Sequence, residues 1–426
     1  MKKIYLAILC AMTGLTFQSC LHDDKEFFDD SAANRIENTV ENTQKVLESS
    51  ENGWELHYYT GEGYTGGGYT FLLKFHNGKV TVAGDPALAT SEERATSSYG
   101  MDRSMGPVLT FNTYNHILHA LGTPNINNIQ GQQGDWEFVV TKLTEDSIFV
   151  RGKKWSNDMV FTRLPQTVDW KEHLDSIGNV AKQLKDNYVD ATSGDASKAI
   201  EVNASTRRIA GRNALGQVEE CPYIITTKGI QTLEPVTVGN SQTQSFELTQ
   251  TGKLQTQGDA QVELAPYIAP IDTWVGKWSL SAVAGSCDLT ISKCEEKADS
   301  LIATFKVDTL EYHLGMNYDA ETGYAYLNSQ YISDPSGKYP ALFFMSADLS
   351  HSALLGAGGV YFVWHCVSQE ATFIGDVLTS TKDGSQFTVD SFVAGAADSQ
   401  GNLLRDEDDL LIFPVEWYYL YSLSRN

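Results

Sequence analysis

The sequence predicts a mainly β protein with a few helices (α+β), arranged as two β-meander, barrel or sandwich domains behind an N-terminal lipid anchor. Three observations predict it. Apolar and polar residues alternate in short runs from Trp54 onward and again from Trp274 onward, the two-residue period of half-buried strands. Turn signals such as Asn77-Gly78 and Asp383-Gly384 separate those runs. Two stretches, about residues 33–50 and 169–189, carry the longer apolar period of an amphipathic helix.

The chain opens with the basic pair Lys2-Lys3 and a fourteen-residue apolar run, 4–17, ahead of Gln18-Ser19-Cys20. A membrane-spanning helix needs about twenty apolar residues, so the run reads as the core of a signal peptide over residues 1–19. Small Ser19 before Cys20 fits a lipobox whose cleavage leaves a lipidated Cys20 at the mature start. Phe17 and Gln18 depart from the usual lipobox residues, and an ordinary signal peptide that contains a cysteine is the alternative. Acyl chains add about 0.8 kcal/mol per buried methylene, so several on one cysteine hold a domain at a membrane. Residues 20–32 form an acidic tether. Within it, Asp23-Asp24 resembles the surface-export signal of Bacteroidota lipoproteins, which places the expected site at the outer membrane, facing the cell exterior. A merely solvated tether is the other reading of those two acids.

Ser31 is a candidate cap for the first helix, in which Ile36, Val40, Val46 and Leu47 form the stripe and Asn52-Gly53 ends it. Residues 54–58 alternate as a strand. Gly66-Gly67-Gly68 interrupts, 69–75 gives a second strand, and Asn77-Gly78 turns it into a third at 80–82. Tyr114, Ile117, Leu118 and Leu121 share one face of a short helix over 113–121. Strands follow at 136–143, 147–153 and 159–164. Asp169 caps the strongest helix, which carries Trp170, Leu174, Ile177, Ala181, Leu184 and Tyr188 to about residue 189. Strands near 223–227, 232–238 and 245–248 complete an N-terminal α+β domain over 33–268. A second alternating block, opened by Trp274, gives a C-terminal all-β domain over 274–426 with no long helix.

Asp and Glu number 54 against 31 Lys and Arg, a formal charge of −23. Removing residues 1–19, which hold two lysines and no acids, makes it −25. So acidic a chain repels phosphate backbones, which argues against nucleic acid as a partner. Beyond Cys10 and Cys20 there are four cysteines, with no CxxC pair and no Cys/His spacing that fits zinc. Cys287 and Cys294 bracket six residues that read as a turn closed by a disulfide; four small buried hydrophobes are the alternative.

Asn52-Gly53-Trp54, Gly67-Gly68-Tyr69, Leu73-Lys74-Phe75 and Gly78-Lys79-Val80 resemble an uncharacterised Bacteroidota lipoprotein family of the DUF4302 type. Asp135-Trp136-Glu137-Phe138, Asp146-Ser147-Ile148 and Gly152-Lys153-Lys154 are similar to its second recurrent segment. The resemblance spans about residues 20–265. It implies an accessory role beside SusC/SusD-like outer-membrane uptake systems, and it carries over no catalytic residue.

The chemistry-bearing motifs are few. HExxH, GxSxG, the phosphate loop and the dinucleotide fingerprint are absent. His116 and His119 stand three apart on the expected helix, a metal spacing without a third ligand nearby, and a solvated face is the plainer reading. Residues 406–409 are an acidic run without the alternation of a calcium loop. No metal or cofactor is therefore expected. Aromatic residues are the best candidates for a ligand platform, because Tyr and Trp rings stack on sugars and other flat ligands while their polar tips meet water. Tyr58, Tyr59, Tyr64 and Tyr69 cluster beside the glycine loop, and Trp417, Tyr418, Tyr419 and Tyr421 near the C-terminus. The expected function is a surface-exposed, lipid-anchored, non-enzymatic accessory protein that binds a neutral ligand such as a glycan or peptide, or a partner in an uptake complex. The alternatives are a lipid-anchored hydrolase of glycans or peptides and a structural or adhesive surface protein.

Overall fold

A computed structural model describes residues 32–103, 106–124, 131–194, 198–213, 215–258, 261–283, 285–417 and 420–425. Cys20, Asp23, Asp24, Ser31, the signal segment and the Tyr418-Tyr419 pair lie outside them. The described chain is mostly β, with two α-helices, as its alternation predicts.

Helix α1 (Ala32–Glu48) buries Val40 and Leu47. Asn52 and Gly53 then turn the chain. The Asn52 amide donates to Pro165 O and Val168 O at 2.8 Å each. Gly53, at φ 84°, sits where a Cβ would come within 2.4 Å of Leu73 O. Nine antiparallel strands follow: β1 (Trp54–Tyr59), β2 (Gly68–His76), β3 (Lys79–Gly84), β4 (Ala95–Ser98), β5 (Gly100–Asp102), β6 (Val108–Thr110), β7 (Glu137–Leu143), β8 (Ser147–Gly152) and β9 (Asp158–Arg163). They order as β4-β3-β2-β1-β9-β8-β7-β6-β5. Alternation gives β2 two buried faces. Phe71, Leu73 and Phe75 join Trp54, Leu56 and Phe161 in one core, and Leu72 packs in another with Leu174 and Ile177.

Those last two belong to α2 (Trp170–Gln183), capped where the Asp169 carboxylate accepts from Glu172 N at 2.9 Å. The helix ends six residues before the sequence period suggests. Leu184 is extended, and residues 187–190 form a strand, so Tyr188 is a core residue of a sheet and not of the helix. Pairing with strands on both sides outcompetes another helical turn. The segment 113–121 likewise departs from its pattern. It is a turn ending in a single 3-10 turn at Ala120–Gly122, because its hydrogen bonds run to Asn115 and outside the segment.

Eight strands then close a first barrel in sequence order: β10 (Asn187–Asp190), β11 (Ile200–Asn203), β12 (Arg208–Arg212), β13 (Val218–Ile225), β14 (Gly229–Val238), β15 (Ser241–Leu248), β16 (Leu254–Thr256) and β17 (Glu263–Pro266). The remaining strands run β18 (Gly276–Ala282), β19 (Gly285–Lys293), β20 (Ser300–Val307), β21 (Leu310–Tyr318), β22 (Ala325–Asn328), β23 (Gln330–Ile332), β24 (Ala341–Asp348), β25 (Ala353–Leu354), β26 (Gly359–Trp364), β27 (Glu370–Gly375), β28 (Val377–Thr379), β29 (Gln386–Thr388), β30 (Ser391–Ala397), β31 (Val415–Trp417) and β32 (Leu420–Arg425). A second barrel closes in the order β18-β19-β20-β21-β22-β26-β27-β32, with a smaller sheet of β23, β24, β25, β30 and β31 against it and a β28-β29 hairpin.

Polar ties join the three sheets. Arg207 Nη2 meets Asp85 Oδ1 at 2.8 Å between the open sheet and the first barrel, with both side chains buried. The Glu201 carboxylate accepts from Val367 N at 2.5 Å and Ser368 N at 2.6 Å, fixing a turn of the second barrel to the first.

Candidate functional site

Three of the four tyrosines expected to form a platform are inside the protein, which corrects that expectation. Tyr58 is fully buried, and Tyr69 and Tyr59 nearly so; Tyr64 is half-buried. The cause is that β1 is an inner strand covered on both faces, so alternation sends neighbouring rings to opposite covered faces rather than one into water. Tyr58 packs edge-on against Phe71 at 5.2 Å. Burial, with the Asp135 charge adding to it, holds its hydroxyl protonated far above the usual tyrosine range. That hydroxyl donates to Asp135 O at 2.6 Å. Tyr58 therefore supports the residue before Trp136 instead of meeting a ligand itself.

Above it lies an exposed aromatic ledge of Tyr114, His119 and Trp136. Ile117, Leu118 and Leu121 anchor its first part in the core. Buried Asn115 ties it down. Its amide reaches Ala95 O at 3.2 Å and Ser97 Oγ at 3.3 Å, its Oδ1 accepts from Leu118 N at 3.2 Å, and its carbonyl accepts from His119 N at 2.9 Å. The second part is fixed by Asp135, whose carboxylate accepts from Lys154 N at 2.8 Å and Trp155 N at 3.2 Å. Phe111 N donates to Trp136 O at 3.1 Å. Gly122 leaves room for the indole, since a Cβ there would come within 2.8 Å of its Cζ3.

So held, the rings run in a row. His119 stacks on Trp136 with centroids 5.6 Å apart and planes at 27°, and Tyr114 lies 5.3 Å from His119 at 42°. Tyr114 is 69% exposed and Trp136 38%. Burial lowers the His119 pKa below its ordinary value, so the imidazole is neutral at neutral pH. The ledge thus offers three uncharged ring surfaces with polar edges, a geometry suited to stacking on a flat ligand. Sequence reading missed it because the apolar spacing of 113–121 put Tyr114 on a buried helix face. The signal available was the turn-forming run Asn112-Thr113 ahead of it and Asn115 after it.

The other sequence candidates fall elsewhere. His116 pairs with exposed Glu93 at 2.6 Å, so it shares no ligand with His119. Among the described residues no three His, Cys, Asp or Glu converge as a metal site. Cys287 and Cys294 lie along one extended stretch, β19 and the residue after it, and both are free thiols. Seven residues of strand span about 23 Å, whereas a disulfide needs Cα atoms about 4.4–6.8 Å apart; the expected bridge is excluded. In the acidic run, Asp406 turns its own loop by accepting from Asp408 N and Leu410 N at 2.9 Å each. Trp417 is buried against Phe305, with centroids 4.7 Å apart.

Ser350, His351 and Asp348 meet, but not as a relay. The hydroxyl lies 3.2 Å from His351 Nδ1, the same nitrogen that meets Asp348 Oδ2 at 2.8 Å. A hydrolytic triad puts hydroxyl and carboxylate on opposite ring nitrogens. Asp348 also accepts from His351 N at 3.1 Å and Thr388 N at 2.8 Å, which makes it a knot holding a turn.

Two of the cavities among the described residues bear on function. A cleft of about 930 Å³ in the second barrel has an apolar back of Leu289, Phe305 and Trp417 and a mixed rim of Lys277, Lys306, Asp288, Asp308, Glu311 and Glu416. All six rim side chains are exposed. A pocket of about 400 Å³ opens in the first barrel, with Tyr64 at its edge. No helix among the described residues is long and apolar enough to cross a membrane.

Comparison with known proteins adds the following. No curated protein matches the chain. Among solved structures, that of a mutant of the vaccine antigen transferrin-binding protein B from Haemophilus parasuis Hp5 is 13% identical, covering 84% of this chain and 66% of that one. Its TM-score of 0.12 is too low to carry an argument. The family described as a domain of unknown function, DUF4302, matches residues 24–250, which takes in the open sheet, the ledge and most of the first barrel. With more than half of its residues matched, the chain belongs to the DUF4302 family.

Proposed function

We propose that this is a lipid-anchored, non-enzymatic binding protein of the outer surface, tethered through Cys20, which presents the ledge of Tyr114, His119 and Trp136 to a neutral ligand such as a glycan. It would serve as an accessory of an outer-membrane nutrient-uptake system of the SusC/SusD-like kind. The observation that carries the binding reading is the ledge itself, an exposed run of uncharged rings whose backbone is pinned by buried Asn115 and Asp135. Rings held in place before a ligand arrives lose little entropy on binding. The charge of −23 disfavours anionic ligands and leaves neutral ones. The sequence before residue 24 supports the anchor and Asp23-Asp24 the outward address.

Two tests separate location from binding. Cys20→Ala is expected to move the protein out of the membrane fraction, and protease added to intact cells should degrade the wild type. Full retention of the variant refutes the anchor, and full protection of the wild type refutes the surface address. For binding, a ring contact contributes about 0.5–1.5 kcal/mol, so Trp136→Ala should weaken retention of a neutral polysaccharide about two- to tenfold in affinity electrophoresis. Unchanged mobility would place the ligand elsewhere.

A further inference from the structure

The first barrel has one incomplete seam. β13 and β14 pair only at Tyr223 with Thr232, Ile224 with Gln231 and Ile225 with Ile230. Residues 218–222 of β13 pair with β12 on one side and with no strand on the other. Residues 236–238 of β14 pair with β15 alone. Continued at the same register, Pro222 would stand opposite Leu233, Cys221 opposite Glu234 and Glu220 opposite Pro235.

The sequence prevents that continuation. Pro222 and Pro235 have no N–H to give to a ladder. β14 also bulges, its register against β15 shifting between Gln231 and Val236. Side chains satisfy the bulged backbone instead: Gln244 Nε2 donates to Leu233 O at 3.0 Å, Thr232 Oγ1 to Glu234 O at 2.7 Å, and Glu234 N to Cys221 Sγ at 3.3 Å.

The pocket of about 400 Å³ opens where these strands part, and residues 219–222 and 233–237 both line it. Tyr223 N donates to Arg207 O, which marks residue 223, and by alternation 221 and 219, as bonded to β12. The N–H groups of Val218 and Glu220 and the Val218 carbonyl then face the opening, while the Glu220 carbonyl accepts a long bond from Arg208 Nη2 at 3.4 Å. An antiparallel edge with amides directed into a pocket is the geometry that accepts another strand.

Charge narrows the occupant. Arg208 is taken up by Glu220 and Tyr64 O, both at 2.9 Å, and Arg212 by Gly216 O at 2.8 Å and Val367 O at 2.5 Å. Glu219 accepts from the Asn213 amide at 2.7 Å. Glu234 makes no ion pair among the described residues. Arg208 and Glu220 cancel, Arg212 gives its donors to carbonyl oxygens while keeping its charge, and the two acids Glu219 and Glu234 outweigh it, so the opening is acidic by one charge. We propose that this seam binds an extended basic peptide segment of a partner protein, added as a strand along residues 218–222 of β13. This site is separate from the ledge, and either reading can fail without the other.

The probe is the acetylated, amidated hexapeptide Val-Lys-Val-Lys-Val-Lys, fluorescently labelled and added to the full mature chain in detergent. Two isomers carry N-methyl groups on alternate residues, each blocking one peptide edge, and a third peptide has Glu in place of Lys. Anisotropy should show the Lys peptide binding, with one N-methyl isomer and the Glu peptide each about tenfold or more weaker, the effect of losing a paired amide or facing like charge. Hydrogen exchange should show the amides of Val218 and Glu220 slowing when the Lys peptide is present. Glu220→Lys with Glu234→Lys, both exposed positions, should reverse the preference between Lys and Glu peptides. No binding of the Lys peptide overturns the proposal. So does equal binding of both N-methyl isomers, or unchanged exchange at Val218 and Glu220.

Discussion

Asp85→Ala is expected to lower the stability of the chain by about 3–5 kcal/mol, the usual effect of stranding one member of a buried ion pair. Asp85 is fully buried and Arg207 nearly so, and their contact crosses from the open sheet to the first barrel. Removing the carboxylate leaves a guanidinium with no access to water. Among the described residues Arg207 Nη1 already has no hydrogen-bond partner, and neither does Asp85 Oδ2; the Tyr69 ring, its centroid 5.4 Å from the guanidinium carbon, offers only a weaker cation–π contact. The junction also has no slack: a Cβ on Gly67 would come within 2.2 Å of Thr206 O. Replacing both partners tests the mechanism. Asp85→Leu with Arg207→Met removes both charges and should recover most of the loss, since apolar pairs often match or exceed buried ion pairs. Urea unfolding read by tryptophan fluorescence measures both. A single variant within about 1 kcal/mol of wild type would mean that water reaches the pair.

Trp278→Ala should cost about as much, roughly 3–5 kcal/mol, but in the second barrel. Trp278 is fully buried. Its ring stacks on Trp274 with centroids 5.9 Å apart and meets the edge of Trp364 at 5.7 Å. Its Nε1 donates to Trp274 O at 2.7 Å, and the Arg425 guanidinium lies 5.2 Å from the ring centroid. Truncation therefore leaves a cavity, a changed environment for Trp274 and a loosened last strand, because β32 closes the barrel against β18. Calorimetry should show the second barrel melting earlier, with faster amide exchange across residues 420–425. Trp278→Phe, which keeps most of the volume, should lose less. A variant that melts like wild type would show that the tryptophan stack is not the centre of this core.

How much of this was legible in the sequence depends on what each pattern encodes. Alternation and turn chemistry are local, and they read correctly. Asn77 at φ 49° and Gly78 at φ 70° form the left-handed pair that an Asn-Gly hairpin requires. Asp169 caps α2 as its position predicts. What alternation does not encode is whether one face of a strand or both are covered. Tyr58 and Tyr59 both stood among the platform candidates, and cover on both faces of β1 buries each of them. The disulfide failed for a related reason. Six residues between cysteines suit a turn, but Leu289 and Ile291 point into the second core as alternating members of one strand. Tyr114 was hidden by a helical spacing that a turn can also satisfy. The incomplete seam was partly written in the sequence, because Pro235 falls within a run that reads as strand and Pro222 directly precedes another.

The most direct test of the ledge as the ligand site is a neutral-glycan array probed with the wild-type chain and with a Tyr114→Ala, Trp136→Ala double variant. Tyr114 is 69% exposed and Trp136 38%, so the variant should lose a little packing and melt somewhat below wild type while staying folded, which calorimetry checks. The account predicts that the wild type retains at least one class of neutral glycan and that the variant loses it. An array on which the two proteins give the same signals, or on which neither retains a neutral glycan, would contradict it.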